Sequence, residues 1–242
     1  MRTNLFILLS TVIFAVSVVF LGVSVHKGLS EFRLSDRYVT VKGLAERSAR
    51  ADVAIWPMPI VATANDLAAA QTSIDQSTAK AIAFLKGKGF EDGEIKIQKT
   101  EVTDLLAQAY RSNETTQLRY IIRQSLAVET PKIDAVIAAQ SAIGELFKQG
   151  VVIETTPTKY VYNGLNAIKP EMIAEATKNA REGAEQFAHD SKATLSGIKT
   201  ASQGQFQILP ADSEFQYDEA QSPNKKIRVV TTVEYYLTPS GR

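Results

Sequence analysis

Residues Gln117–Thr130 read QLRYIIRQSLAVET. Tyr120, Ile122, Leu126 and Val128 fall on one side of an extended chain; Arg123, Ser125 and Glu129 fall on the other. That period of two marks a strand with one buried face and one wet face. Just upstream, Glu94–Ala107 (EIKIQKTEVTDLLA) reads as a second strand. The polar tip Tyr110-Arg111-Ser112-Asn113-Glu114 joins the two into an antiparallel hairpin. A hairpin set between helical stretches decides the fold class: α+β with a largely antiparallel sheet, not a doubly wound parallel one.

Outward from the hairpin, the chain alternates strands and amphipathic helices. Asn65-Asp66 caps a helix running to about Lys86, with Leu67, Ala70, Ile74, Thr78, Ala81, Ile82 and Leu85 on one stripe. Tyr38–Val41 alternates as a strand ending at Gly43. Residues 49–64 (ARADVAIWPMPIVATA) form the next strand. Pro57 and Pro59 each remove a ladder donor there, which places them at a sheet edge or a bulge. Trp56, just before them, is either an aromatic plug in a bent strand or part of a docking edge. Beyond the hairpin, Pro131 opens a second helix to about Gln149, stopped by Gly150. A strand at Val151–Glu154 resumes near Lys159–Asn163. Pro170 opens a third helix to about Ser191, with Ile173, Ala176, Ala180, Ala184, Phe187 and Ala188 inward. Its charged face (Glu171, Glu175, Lys178, Arg181, Glu182, Glu185) reads as solvated. Leu195–Leu209 is another strand region. A polar loop over 210–226 carries Phe215 and Tyr217, and Ile227–Leu237 alternates cleanly as the last strand. The body thus holds about three helices.

The start of the chain is of another kind. Leu5–Val25 (LFILLSTVIFAVSVVFLGVSV) carries no charge. At about 1.5 Å per helical residue it spans about 30 Å, the thickness of a bilayer core. A cleaved signal peptide wants a shorter apolar core and a better site than Gly22-Val23-Ser24. A buried core helix wants a polar face. An uncleaved anchor fits best, with residues 1–4 cytoplasmic, residues 26–37 a stalk, and the body at 38–239 outside. Arg2 supports that orientation, although Lys27, Arg33 and Arg37 lie on the other side.

Composition excludes several classes. A net charge of +1 argues against nucleic acid, which demands a basic stripe. The chain has no cysteine, hence no disulfide, thiolate zinc site or cysteine nucleophile. Its two histidines are His26, at the membrane edge, and His189, in Phe187-Ala188-His189-Asp190-Ser191. Neighbouring helical residues point apart, so these last letters form no relay, and His189 reads as a helix C-terminal cap. Gly87-Lys88-Gly89 closes a helix and lacks phosphate-loop spacing. Isolated carboxylates such as Asp52 and Asp104 keep a carboxylate enzyme as the least favoured alternative. No catalytic residue, cofactor or metal site is expected.

The words Tyr38–Arg47 (YVTVKGLAER) and Ala51–Pro57 (ADVAIWP) resemble the opening of the SIMPL-domain (DUF541) family. Gly89–Ile97 (GFEDGEIKI) resembles its lead-in to a strand. Residues 174–193 resemble its A-x-x-x-A-R-x-x-A helix, and Ala201–Ile208 with Ile227–Leu237 its closing strands. The wording is nearest to a membrane-anchored bacterial branch. The resemblance implies an α+β fold, an envelope location, large ring-like homo-oligomers in some members and an association with oxidative-stress defence in others. It carries no catalytic residues.

Together these readings anticipate a single-pass protein of a bacterial inner membrane with a periplasmic body that self-assembles, as a ring or cage, with a role in envelope stress defence. The expected partners are further copies and, through Leu5–Val25, the membrane. Trp56, Pro57, Pro59, Tyr110, Phe215 and Tyr217 are the candidate interaction residues. A monomeric binding adaptor, using the aromatics of the 210–226 loop and the 108–116 tip, is the alternative.

Overall fold

A computed structural model describes residues 15–25, 37–107, 118–211 and 218–239. Residues 15–25 form a helix, α1, with every side chain exposed. Residues 5–14 of the expected anchor and residues 26–36 of the stalk lie outside the described residues. No helix of the described residues is long and apolar enough to cross a membrane. Then follow β1 (Tyr38–Arg50), β2 (Val53–Ala64), α2 (Leu67–Gly87), β3 (Ile95–Asp104), β4 (Tyr120–Thr130), α3 (Ile133–Ser141), α4 (Gly144–Lys148), β5 (Val152–Ile153), β6 (Lys159–Val161), α5 (Leu165–Asp190), β7 (Ala193–Gln203), β8 (Gln207–Pro210) and β9 (Asn224–Pro239). The mixed α+β class holds, with antiparallel sheets. The body has four helices instead of about three, because the expected helix over 131–149 is two.

The chain divides into two compact units. The larger comprises Arg47–Lys169 and Gln207–Ile227. Its sheet has the order β3-β4-β2-β5, with β6 also on β2. β4 runs antiparallel along β2 from Ala54↔Thr130 to Ala64↔Tyr120. Alternate β2 residues Ala54, Trp56, Met58, Ile60 and Ala62 are buried beside Ile122, Leu126 and Val128 of β4. Ala70, Ile74, Ala81, Phe84 and Leu85 of α2, and Val136 and Ala139 of α3, complete this core. Asp66 caps α2 as expected, its carboxylate accepting from the Ala69 N–H at 2.9 Å. Leu67 of the expected stripe is 45% exposed, however.

The two prolines sit in the sheet interior, but on a broken flank. β2 has β4 along one side. On the other, β6 pairs with Val53–Ile55 and β5 with Ile60–Val61. The Glu154 N–H donates to the Pro59 carbonyl at 2.9 Å, so position 59 turns its polar edge to the β5 side. Pro57, two residues away in the same strand, faces the same way. Neither has a donor to offer, and the ladder lapses between β6 and β5.

The second helix breaks at Ala142–Ile143. The Ala142 N–H is shared between the Ala138 and Ala139 carbonyls, and the Ile143 N–H reaches Gln140, three residues back, at 3.2 Å. This tightening ends the α-helical ladder before α4 begins. α5 begins before Pro170, at Leu165, where the Ala167 N–H bonds the Gly164 carbonyl at 3.1 Å. Pro170 lies inside the helix and leaves one early carbonyl without its ladder donor.

The smaller unit comprises the chain up to Glu46, Pro170–Phe206 and the chain from Arg228. Its strands lie in the order β1-β9-β7, with β7 and β9 antiparallel. Val41, Val233 and Tyr235 pack against Ala180 and Ala184 of α5. The expected stop at Gly43 is wrong: β1 runs on to Arg50. Gly43 is there because α5 passes so close that a Cβ would stand 1.8 Å from the Ala176 carbonyl oxygen and 2.5 Å from the Ala180 nitrogen. Asn179 fixes the approach, its amide donating to the Leu44 carbonyl at 2.7 Å.

Two substitutions test this contact. Gly43→Ala must displace helix backbone and is expected to cost about 3 kcal/mol by urea unfolding of the full-length chain. Gly183→Ala, where a Cβ meets open space on α5, is expected to stabilise by about 0.5–1 kcal/mol.

A pH-dependent contribution comes from the turn into β3. Burial pushes the Glu94 carboxyl up, but the Thr130 hydroxyl, the Glu91 N–H and the Lys132 ammonium together outweigh it and hold it below its ordinary value. A carboxyl lowered in the folded state stabilises above its unfolded pKa and loses that contribution as pH falls through the folded one. Urea midpoints are therefore expected to fall below about pH 4.5, and Glu94→Gln to flatten this part of the profile.

Candidate functional site

The side chains that carry chemistry in the sequence are mostly engaged in holding the fold. Asp52 accepts from the Asn163 and Gly164 N–H groups at 2.8 and 3.1 Å, and from the Asn163 amide at 3.0 Å. It ties the end of β6 to the start of α5. Asp104 takes the forked Arg119 guanidinium, Nη2 to Oδ2 at 2.8 Å, and the Leu106 N–H at 2.9 Å. The His189 side chain is 84% exposed at the end of α5, with Nδ1 3.3 Å from Asp190 Oδ1. The Ser191 hydroxyl donates to the Phe187 carbonyl at 2.8 Å instead of meeting the imidazole. Among the described residues no group of three His, Asp or Glu side chains is placed to hold a metal.

Among the described residues, one charged side chain is wholly buried. Lys225, early in β9, has no exposed side-chain surface, and its Nζ lies 2.7 Å from Glu219 Oε1. It also donates to the Glu219 carbonyl. An ammonium in this position clamps the short 3-10 turn Glu219–Gln221 to the strand. Removing the carboxylate strands the buried ammonium, whereas replacing the lysine by an apolar residue of similar shape leaves a Glu219 side chain that is 39% exposed and met by water. Glu219→Ala is expected to destabilise by about 3 kcal/mol and Lys225→Met by less than about 1 kcal/mol, read from thermal and urea unfolding.

Two surfaces of the larger unit are candidates for interaction. The first is a cleft of about 160 Å³ beneath the α3–α4 bend. Trp56 and Pro57 line it from β2, Ile143 and Phe147 from the bend and α4, and Ile153 from β5. Trp56 is only 5% exposed and belongs to the core, while Phe147 is 53% exposed. Gln140, Glu154, Thr155 and Thr156 form the rest of the lining. The cleft persists because the ladder lapses beside the prolines: β5 ends at Ile153, and β6 starts only at Lys159.

The second surface is β3, which has β4 on one side and, among the described residues, no strand on the other. Ile97 and Val102 on this strand are 57% and 53% exposed. Leu106 and Leu118, at the end of the same hairpin, are 48% and 42% exposed. A bulge between Ile97 and Thr100, with Lys96 before it and Lys99 within it, blunts the first half of the edge. The stretch Thr100–Asp104 beyond the bulge is regular.

Of the six candidate interaction residues, the structure brings Trp56 and Pro57 together at the cleft. Pro59 lies on the same strand, half-buried, with its carbonyl accepting from Glu154. Tyr110, Phe215 and Tyr217 lie outside the described residues. Sequence reasoning did not find Ile143, Phe147 and Ile153 as a group. Their convergence depends on the break between α3 and α4, which no Pro in that stretch announces.

A family profile described as SIMPL, a protein of unknown function (DUF541), matches residues 39–235. The chain belongs to the SIMPL family. The match runs from β1 to β9 and so takes in both compact units. No curated protein matches the chain. Within this SIMPL chain, the words that carried the resemblance have physical roles. Gly43 and the alanines of α5 meet at their closest approach, and Glu94 of GFEDGEIKI joins the turn before β3 to Thr130 and Lys132.

Proposed function

We propose that this SIMPL protein is a membrane-tethered scaffold whose body self-associates into a homo-oligomer outside the cytoplasm. The observation that carries the reading is the β3 flank: an edge with no strand partner among the described residues, bearing exposed Ile97 and Val102, next to exposed Leu106 and Leu118. Exposed apolar side chains beside free backbone donors and acceptors are what a second chain covers. The bulge and the two lysines limit the pairing to the far half of the edge, which favours a defined contact over an open-ended one. The uncharged run Leu5–Val25, helical over its described part, supplies the tether. The binding-adaptor alternative draws its support from the cleft at Trp56.

Light scattering of the full-length chain in mild detergent tests the scaffold. The wild type is expected at a multiple of its 26.5 kDa mass. Val102→Lys, combined with Ile97→Lys, is expected to reduce it to one copy without changing the unfolding midpoint, since both side chains are exposed. A wild type that is strictly monomeric overturns self-association and leaves the adaptor.

A further inference from the structure

We infer that the Trp56 cleft is a binding site for a small, uncharged single-ring aromatic that carries a hydrogen-bond donor, a phenol-like ligand. Size sets the first limit. A cleft of about 160 Å³ matches one ring, as an apolar cavity of about 150 Å³ takes benzene. The walls set the second. Trp56, Phe147, Pro57, Ile143 and Ile153 offer aromatic and aliphatic surface, which suits a flat apolar body.

The rim sets the polarity. The Gln140 amide nitrogen is already committed, donating to the Thr158 hydroxyl, so its carbonyl oxygen is the end that can accept. Glu154 is also part of the lining and gives one carboxylate oxygen to Arg123 Nε at 2.8 Å. The Gln140 oxygen can accept from a donor on the ligand, the Thr155 and Thr156 hydroxyls can donate or accept, and a carboxylate beside Glu154 would be repelled, Arg123 offsetting only part of that. The site does not rely on self-association. It is framed by the lapse in the β2 ladder and the α3–α4 bend, both within one unit.

Trp56 is the chain's one tryptophan, so its emission reports on this cleft. The experiment follows that emission in the full-length chain, mixed with phosphatidylcholine vesicles that contain no tryptophan, during titration with phenol, toluene and benzoate. Phenol is expected to give a saturable change with half-saturation in the millimolar range. Benzoate is expected to bind at least tenfold more weakly, with toluene between them. Phe147→Ser, which removes an exposed wall, and Thr156→Phe, which fills the mouth, are each expected to weaken phenol at least tenfold. Urea midpoints identify the variants that fold. The inference is overturned if phenol gives no saturable change, if benzoate binds as well as phenol, or if either folded variant responds like the wild type.

Discussion

β1 and α5 approach so closely at Gly43 that not even a methyl group fits there. Much of the smaller unit follows from it. A helix that near a strand can present only small side chains, and α5 buries Ala176, Ala180, Ala184 and Ala188 on that side. Alanines bury little area each, so the stability of the contact comes from dense packing over its length more than from any single residue. Asn179 adds a directional bond to the Leu44 carbonyl, which fixes the helix against sliding along the strand. The glycine in one stretch and the alanines more than a hundred residues later are thus one interaction, read twice in the sequence.

This contact also shows where local reading stops. The hairpin of β3 and β4, the cap at Asp66 and the alternation of β9 were legible because each depends on neighbours in the chain: side-chain period, turn chemistry, an oxygen three residues from an N–H. Gly43 was misread as a strand end because its cause lies on another element. Pro170 was misread as a helix start because a tight turn, held in place by Asp52, starts the helix earlier. Phe187, assigned to the inward face of α5, is 61% exposed, while Met172 is buried. The alanine stripe alone is narrow enough to meet β1.

Pro57 and Pro59 illustrate a second constraint with consequences at a distance. Two missing donors on one flank divide what would be a continuous strand partner into β5 and β6. The chain between them swings away from the sheet, and the space under the helix bend stays open beside Trp56. Both expectations for this stretch, an aromatic plug and a place for contact, are thereby joined: the indole fills the core with most of its surface and lends an edge to the cleft. The candidate carboxylates went the other way. Asp52 is held by two backbone N–H groups and the Asn163 amide, and Asp104 by the Leu106 N–H and the Arg119 guanidinium, so the charges that looked available for chemistry secure turns and strand ends.

The strand order of the smaller unit sets a timetable. β9 lies between β1 and β7, yet it is made after both of them. Until then, β1 and β7 have no common neighbour, and α5 has only part of a floor to cover. A chain cut short anywhere before β9 would lack the middle of its sheet, not a dispensable end. Quality control by length is thus built into the topology: the smaller unit can close only after β9 has been made.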